Sequence, residues 1–317
     1  MESLSDFLSI SPKMSVSDQV VRLLYRFVRP DKPTEAPVYD RHRARVEYFV
    51  RRLEPIHFVL PAFPAKSPNL TKVLGPLPDL GEQLALGSLE SLCEYVSYFH
   101  PPGARVTICS DGHVFGDVVG VCDQTVTEYR ALLSQTAKNM NLDSLELYGL
   151  DDAFGGSDYP ALRKVLEAEY APSIDKVRAS VRTDESARTL FNGIHRFMFE
   201  DAVGTSGGHG SRTSLRNKTK ETALHTISRS QAWSSVIAER FPRAVRLSIH
   251  PQPPNSDKIG VRLLASQDEW LTPWHGVVLD DGAKRSLVKR WQAEEFKALL
   301  VWRDGRPSHF VGPHLSA

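Results

Sequence analysis

An excess of charge of either sign is missing from this sequence: 39 Lys and Arg stand against 38 Asp and Glu, a formal net charge of +1. No global basic field exists to hold nucleic acid non-specifically, so any anion site has to be local. No stretch approaches roughly 18 uninterrupted apolar residues, the length a membrane-spanning helix needs. The opening MESLSDFLSISPKMSVSDQ lacks the basic start and apolar run of a secretory leader. The expectation is a cytoplasmic protein with neither nucleic acid nor membrane as partner. Cysteine is scarce: Cys93, Cys109 and Cys122 show no C-x-x-C spacing, so they provide neither a disulfide framework nor a thiolate zinc site and read as small apolar fillers. Also absent are H-E-x-x-H, G-x-S-x-G, G-x-x-x-x-G-K-[ST] and a G-x-G-x-x-G after a strand. These absences argue against the commonest metallohydrolases, serine hydrolases, NTPases and dinucleotide enzymes.

What is present is an alternation of helical and strand patterns. Val20, Val21, Leu23, Leu24, Phe27 and Val28 recur at helical spacing over residues 16–29, after the possible caps Ser15 and Ser17. A Pro-bearing linker leads to a second helical stretch, RHRARVEYFVRRL, and then to the short apolar run Ile56 to Leu60, which reads as a strand feeding the loop PAFPAKSPN. Leu80 to Phe99 has helical leucine spacing and precedes the strand-like RVTIC. The fold class expected is α/β, a Rossmann-like layered sheet with flanking helices and an N-terminal helical segment. Residues 1–54 are expected to form that segment, packed on an α/β domain of residues 55–317. In such sheets ligands sit on loops beyond the strand ends. GTSGGHGSRTSLRNKTK, residues 204–220, is Gly-rich, basic and almost without apolar residues, which predicts a mobile surface segment; a long helix follows from about Thr222 to Arg240.

Candidate chemistry clusters in three places. In VRLSIH, strand alternation sets Val245, Leu247 and Ile249 on one face and Arg246, Ser248 and His250 on the other. The Pro-rich loop and Asn255-Ser256-Asp257 turn permit a hairpin return, with Lys258, Gly260 and Arg262 sharing a face. Together these residues either hold a phosphorylated ligand or form the solvated side of an antiparallel sheet. In SDGHVFGD, Asp111 falls just past the carboxyl end of the RVTIC strand, with Gly112 able to take positive φ. There it is either a general base or an Asp-Gly turn capping its own backbone, and His113 and Asp117 share that ambiguity. In LTPWHG, Trp274 can wall an aromatic pocket beside a proton-transferring His275, next to Thr272; packing is the plainer reading. Lys66 is by itself only a loop lysine.

These residues lie in four ordered blocks: LPAFPAKSPN with KVLGPLPDLGEQLAL (within 59–86), RVTICSDGHVFGDVVGV with the later EYR (105–130), ISRSQAWSSVI with FPRAVRLSIHP (227–251), and Lys258 through TPWHG (272–276). Together they resemble the isocyanide synthases of the pyoverdine/dityrosine biosynthesis group over most of residues 55–280. The resemblance implies a secondary-metabolite enzyme that converts the α-amino group of an amino acid, with an aromatic one expected, into an isonitrile. Ribulose 5-phosphate is the implied carbon donor, with no metal, flavin or nicotinamide cofactor, and an iron/2-oxoglutarate-dependent oxygenase is the implied downstream partner. On that footing His250 and His275 become the acid/base pair, assisted by Asp111. Arg246, Lys258 and Lys66 bind phosphate or carboxylate, with Ser248, Thr272, Trp274, His113 and Asp117 around the substrates. An alternative chemistry uses Lys66 or Lys258 as a covalent amine; separately, Arg212, Arg216, Lys218 and Lys220 either close over the phosphate as a lid or form a solvated loop. Rival outcomes are an N-formyl amino acid product and a non-catalytic binding protein.

Overall fold

The computed structural model describes residues 14–28, 40–205, 211–252 and 256–312. Five strands form a parallel sheet in the order β3-β2-β1-β4-β5: β1 (Ile56–Pro61), β2 (Ala104–Cys109), β3 (Leu145–Tyr148), β4 (Val245–Ser248) and β5 (Lys258–Gly260). Strand alternation divides the sheet into two faces. Phe58, Leu60, Val106, Ile108, Val245 and Leu247 enter the main core, while Val59 and Cys109 enter a second core on the opposite side. The protein is thus α/β, with a parallel sheet between helical layers.

On the first face lie α1 (Val16–Val28), α2 (Asp40–Arg52), α3 (Leu80–Ser97) and the buried side of α5 (Asp123–Asn139), contributing Val20, Leu24, Phe49, Leu86, Leu92 and Tyr129. The start of α3 is a capping box in which Asp79 Oδ1 accepts from Gly81 N and Glu82 reaches back to Asp79 N. The second face is covered by α4 (Gly112–Val119), α6 (Leu150–Phe154), α7 (Tyr159–Tyr170) and the long α10 (Arg212–Arg240), whose Trp233 and Ile237 are buried against Val59 and Cys109. Between α7 and α10 run α8 (Ile174–Thr183) and α9 (Glu185–Thr205).

Two expectations need correction, and one element of the fold was not foreseen. The segment expected to be mobile is helical from Arg212 onward: Ser211 accepts from Ser214 N and caps α10, which begins a full ten residues before its apolar stripe. Residues 206–210 of that segment lie outside the described residues. Strands β4 and β5 are parallel, with Arg246 opposite Lys258, and do not form a hairpin. Pro251 directly after His250, with Pro253 and Pro254 beyond, removes the N–H donors that an antiparallel return ladder would need. Finally, the chain past residue 276 builds a second, four-stranded sheet, ordered β7-β6-β9-β8, from β6 (Val277–Asp280), β7 (Arg285–Val288), β8 (Leu299–Arg303) and β9 (Arg306–Val311), with α11 (Arg290–Glu295) between β7 and β8.

Candidate active site

The sheet order places β1 between β2 and β4, so the chain leaves β1 towards one edge and returns at β4 towards the other. This is a topological switch point, and open α/β sheets hold ligands in the crevice outside the carboxyl ends of their strands at such a point. The β1 loop is tightly built. Phe63 is buried with φ of 57°, a left-handed conformation that a non-glycine residue rarely adopts. Its carbonyl accepts from Ser110 Oγ at 3.0 Å, joining the β1 and β2 loops. The sequence has Gly112 able to take positive φ for a sharp turn, but it is not among the positive-φ glycines; what its position requires is space. A Cβ at that position would lie 1.9 Å from the Pro64 carbonyl oxygen.

Asp111 stands at the N-cap of α4, and its carboxylate makes no capping hydrogen bond to the helix. Its Oδ1 is buried with no hydrogen-bond partner among the described residues. Burial raises its carboxyl to about 7, a shift only partly opposed by its own backbone amide and by the charge of Lys258. Lys258 is held down to about 8 by burial and by the neighbouring charge of Arg246. His250 follows β4; its backbone amide donates to Ser248 Oγ, its ring packs on Trp270 with centroids 5.0 Å apart, and its buried Nδ1 is unpartnered. Burial and the Lys258 charge bring His250 down to about 4.

His275 closes the crevice from a short 3₁₀ turn, Pro273–His275. Ser67 N donates to the Trp274 carbonyl at 2.9 Å and Lys66 Nζ donates to the Pro273 carbonyl at 2.9 Å, so the β1 loop holds this turn in place. Thr272 Oγ1 and His275 Nδ1 share a hydrogen bond at 3.1 Å, and the ring stacks on Phe197 at 4.8 Å. Burial, followed by the charges of Lys72, His250 and Lys66, keeps His275 well below the ordinary histidine range. At neutral pH both histidines are therefore neutral, while Asp111 and Lys258 are the two groups poised to exchange protons.

Asp111, His250, Lys258 and His275 influence one another electrostatically as a chain of neighbours, and this is the group that the fold brings together. The other candidates are held by partners of their own. Lys66 is fully buried at 2.8 Å from both Asp79 Oδ2 and Glu82 Oε2. Arg246 spends its guanidinium on Ser234 of α10, by hydrogen bonds to the carbonyl and the hydroxyl. Ser248 shapes the His250 turn by accepting from the His250 amide and Gln252. Trp274 is buried in the main core against Phe63, and Trp270 is the tryptophan beside a site histidine. His113 stacks on Tyr159 at 3.5 Å and 4°, and Asp117 is paired with Arg229 at 2.5 Å.

Two cavities meet at His275. One, of about 60 Å³, is mainly apolar and includes Phe115, Gly116, Val119 and Met198. The other, of about 320 Å³, is lined by Phe197, Phe199 and Trp291 with Arg212 and Lys289 among its basic groups. Sequence reading missed these aromatic residues, because nothing in the pattern of α9 or α11 links them to His275. Among the described residues no three His, Cys, Asp or Glu side chains are grouped as metal ligands, and no helix is long and apolar enough to cross a membrane.

Comparison with known proteins gives the context. Residues 46–301 match the model of the pyoverdine/dityrosine biosynthesis protein family. An L-tryptophan isonitrile synthase of Fischerella ambigua is 41% identical over 315 residues, covering 97% of this chain and 95% of that protein. An L-tyrosine isonitrile synthase of Pseudomonas aeruginosa is 39% identical over 306 residues, with 93% of each chain covered. The crystal structure of PvcA from Pseudomonas aeruginosa superposes with a TM-score of 0.88 at 37% identity, covering 94% of this chain and 100% of that one.

Proposed function

Because this chain belongs to the pyoverdine/dityrosine biosynthesis family, we propose that it is an isonitrile synthase, an enzyme that turns the α-amino group of an aromatic L-amino acid into an isonitrile. The relatives named as L-tryptophan and L-tyrosine isonitrile synthases support the aromatic class. The observation that carries the reading is the pair of buried, unpartnered atoms, Asp111 Oδ1 and His250 Nδ1, at the switch point of the sheet. Buried polar atoms are costly unless paired, so a crevice that keeps two of them free is built for a ligand that supplies the partners.

In this reading ribulose 5-phosphate is the carbon donor, and no metal or redox cofactor is called for. The α-ammonium must lose a proton before it can add to the sugar ketone, and the carbinolamine must then lose water. Asp111, raised to about 7, is matched to both steps, as acceptor in one and donor in the other. Neutral His250 and His275 orient the substrates through hydrogen bonds. Arg212 and Lys289 at the larger cavity supply charge for a phosphate, and Phe197 and Phe199 give an aromatic side chain its wall. The enzyme works in the cytoplasm, and its product passes to an iron/2-oxoglutarate-dependent oxygenase.

The test is mass spectrometry of the purified protein with ribulose 5-phosphate and each aromatic amino acid, using a tetrazine to trap isonitriles. A trapped adduct is the expected result. An N-formyl product, or saturable binding with no product, overturns the reading.

A further inference from the structure

We propose that Lys258 is a catalytic amine that forms an imine with the ketone of the sugar phosphate and passes that carbon to the amino acid by transimination. The proposal rests on the reading above and adds a covalent step to it.

Of the lysines near the candidate site, Lys66 and Lys258 are the two that the sequence offers as a covalent amine, and the structure separates them. Lys66 has its three N–H donors engaged, by Asp79, Glu82 and the Pro273 carbonyl, and the two carboxylates raise its pKa, which keeps it a buried cation. Lys258 is also largely buried, but its Nζ makes no hydrogen bond or ion pair among the described residues; only its backbone amide is bonded, to Ser256 Oγ. It projects from β5 on the same side as its register partner Arg246, towards the face covered by α10. Arg246 is turned away by its two hydrogen bonds to Ser234. The charged and titratable groups felt around Lys258 are therefore Arg246, which disfavours its protonated form, Asp111, which favours it, and neutral His250. A buried amine that titrates near 8 is about a tenth free base at neutral pH, far more than a solvent-exposed lysine.

Asp111 completes the arrangement. Its unpartnered Oδ1 and its titration near 7 fit it to shuttle one proton in both directions. The neutral Nζ adds to the ketone carbon, forming the C–N bond as the C=O π bond opens, and protonated Asp111 gives its proton to the oxygen. Asp111 takes the proton released from nitrogen and returns it to the hydroxyl, which leaves as water to give the protonated imine. The deprotonated α-amine of the amino acid adds to the same carbon, a proton passes from its nitrogen to that of Lys258 by way of Asp111, Lys258 departs as a neutral amine, and the new imine returns its extra proton to Asp111. The sum is ketone plus amine giving imine plus water, with no oxidant or reductant. The iminium carbon is a stronger electrophile than the ketone, which is the gain from the detour.

The experiment treats the full-length protein with ribulose 5-phosphate and sodium borohydride, maps the labelled peptide, and measures isonitrile formation in the same preparation. The expected result is a reduced sugar-phosphate adduct on Lys258, none on Lys66, and inactivation that needs both reagents. Lys258→Arg, which keeps the charge, is expected to abolish labelling and lower turnover at least ~100-fold. Wild-type protein with the sugar in ¹⁸O-water, without amino acid, is expected to speed exchange of the ketone oxygen; this arm does not depend on any variant folding. Normal isonitrile production without adduct, without inactivation and without accelerated exchange overturns the lysine assignment alone. Failure to make isonitrile from any aromatic amino acid overturns the functional reading and this proposal with it.

Discussion

Lys66 Nζ donates to the carbonyl oxygen of Pro273 at 2.9 Å, so a fully buried cation ties the loop after β1 to the turn that carries His275. The same nitrogen lies 2.8 Å from Asp79 and from Glu82, and Glu82 also accepts from Tyr129 Oη at 3.0 Å. Lys66→Met strands two carboxylates in the core and is expected to destabilise the protein by about 3–5 kcal/mol. Adding Asp79→Asn removes one orphaned charge and recovers part of that loss. Denaturant titrations of the single and double variants measure it; additive effects would show that the pair is not coupled.

Gly112 is where the β1 loop and α4 meet. A Cβ there would collide with the Pro64 carbonyl oxygen at 1.9 Å and with Val126 at 2.5 Å. The clashing Pro64 atom is backbone and Val126 is fully buried, so Gly112→Ala forces the backbone apart and is expected to cost about 3 kcal/mol or more. Thermal unfolding is the check, and a melting temperature equal to wild type would refute the packing account.

Asp117 lies on α4 with Arg229 at 2.5 Å and Arg163 at 3.5 Å, and it faces α10 and α7, away from the crevice. Asp117→Asn is therefore expected to lower stability by about 1 kcal/mol or less, because the carboxylate is part-exposed, and to keep kcat within a factor of about two. Steady-state kinetics and melting curves read the two effects separately. A large loss of kcat with an unchanged melting curve would put Asp117 in the reaction.

Asp111 gives stability a pH dependence of defined sign. Its folded pKa, about 7, lies above that of an unfolded aspartate, so the native state binds the proton more tightly. The stabilisation is fully present below about pH 4 and is lost as pH rises towards and through 7. Asp111→Asn should be more stable than wild type above pH 8, by up to about 4 kcal/mol, and the two curves should converge in acid. Denaturant titrations at three pH values test this, with parallel curves the contrary outcome.

Some of this was legible in the sequence and some was not, for physical reasons. The run Ile56 to Leu60 and the alternation in VRLSIH are strand signals that burial on both faces enforces, and the structure puts Val245 and Leu247 in one core with Arg246 and Ser248 opposite. Asp111 was readable as a residue just past a strand end because α/β sheets place ligands there. The start of α10 was not, since Arg212 to Lys220 has little apolar pattern and its helix rests on a cap and on neighbours far along the chain. The choice between Trp270 and Trp274 was equally hidden: both lie in one short loop, and only the packing of Trp274 on Phe63 and of Trp270 on His250 separates them. The aromatic wall of Phe197 and Phe199 arises from α9, whose contact with His275 no local spacing encodes.

The most direct test of the central claim is isonitrile formation by Asp111→Asn protein, measured with the tetrazine trap beside wild type after both are shown to be folded. The account predicts a loss of at least ~100-fold in turnover, because the amide can neither take nor return the proton. Turnover within a factor of about two of wild type would contradict it and move the chemistry away from the carboxyl end of the parallel sheet.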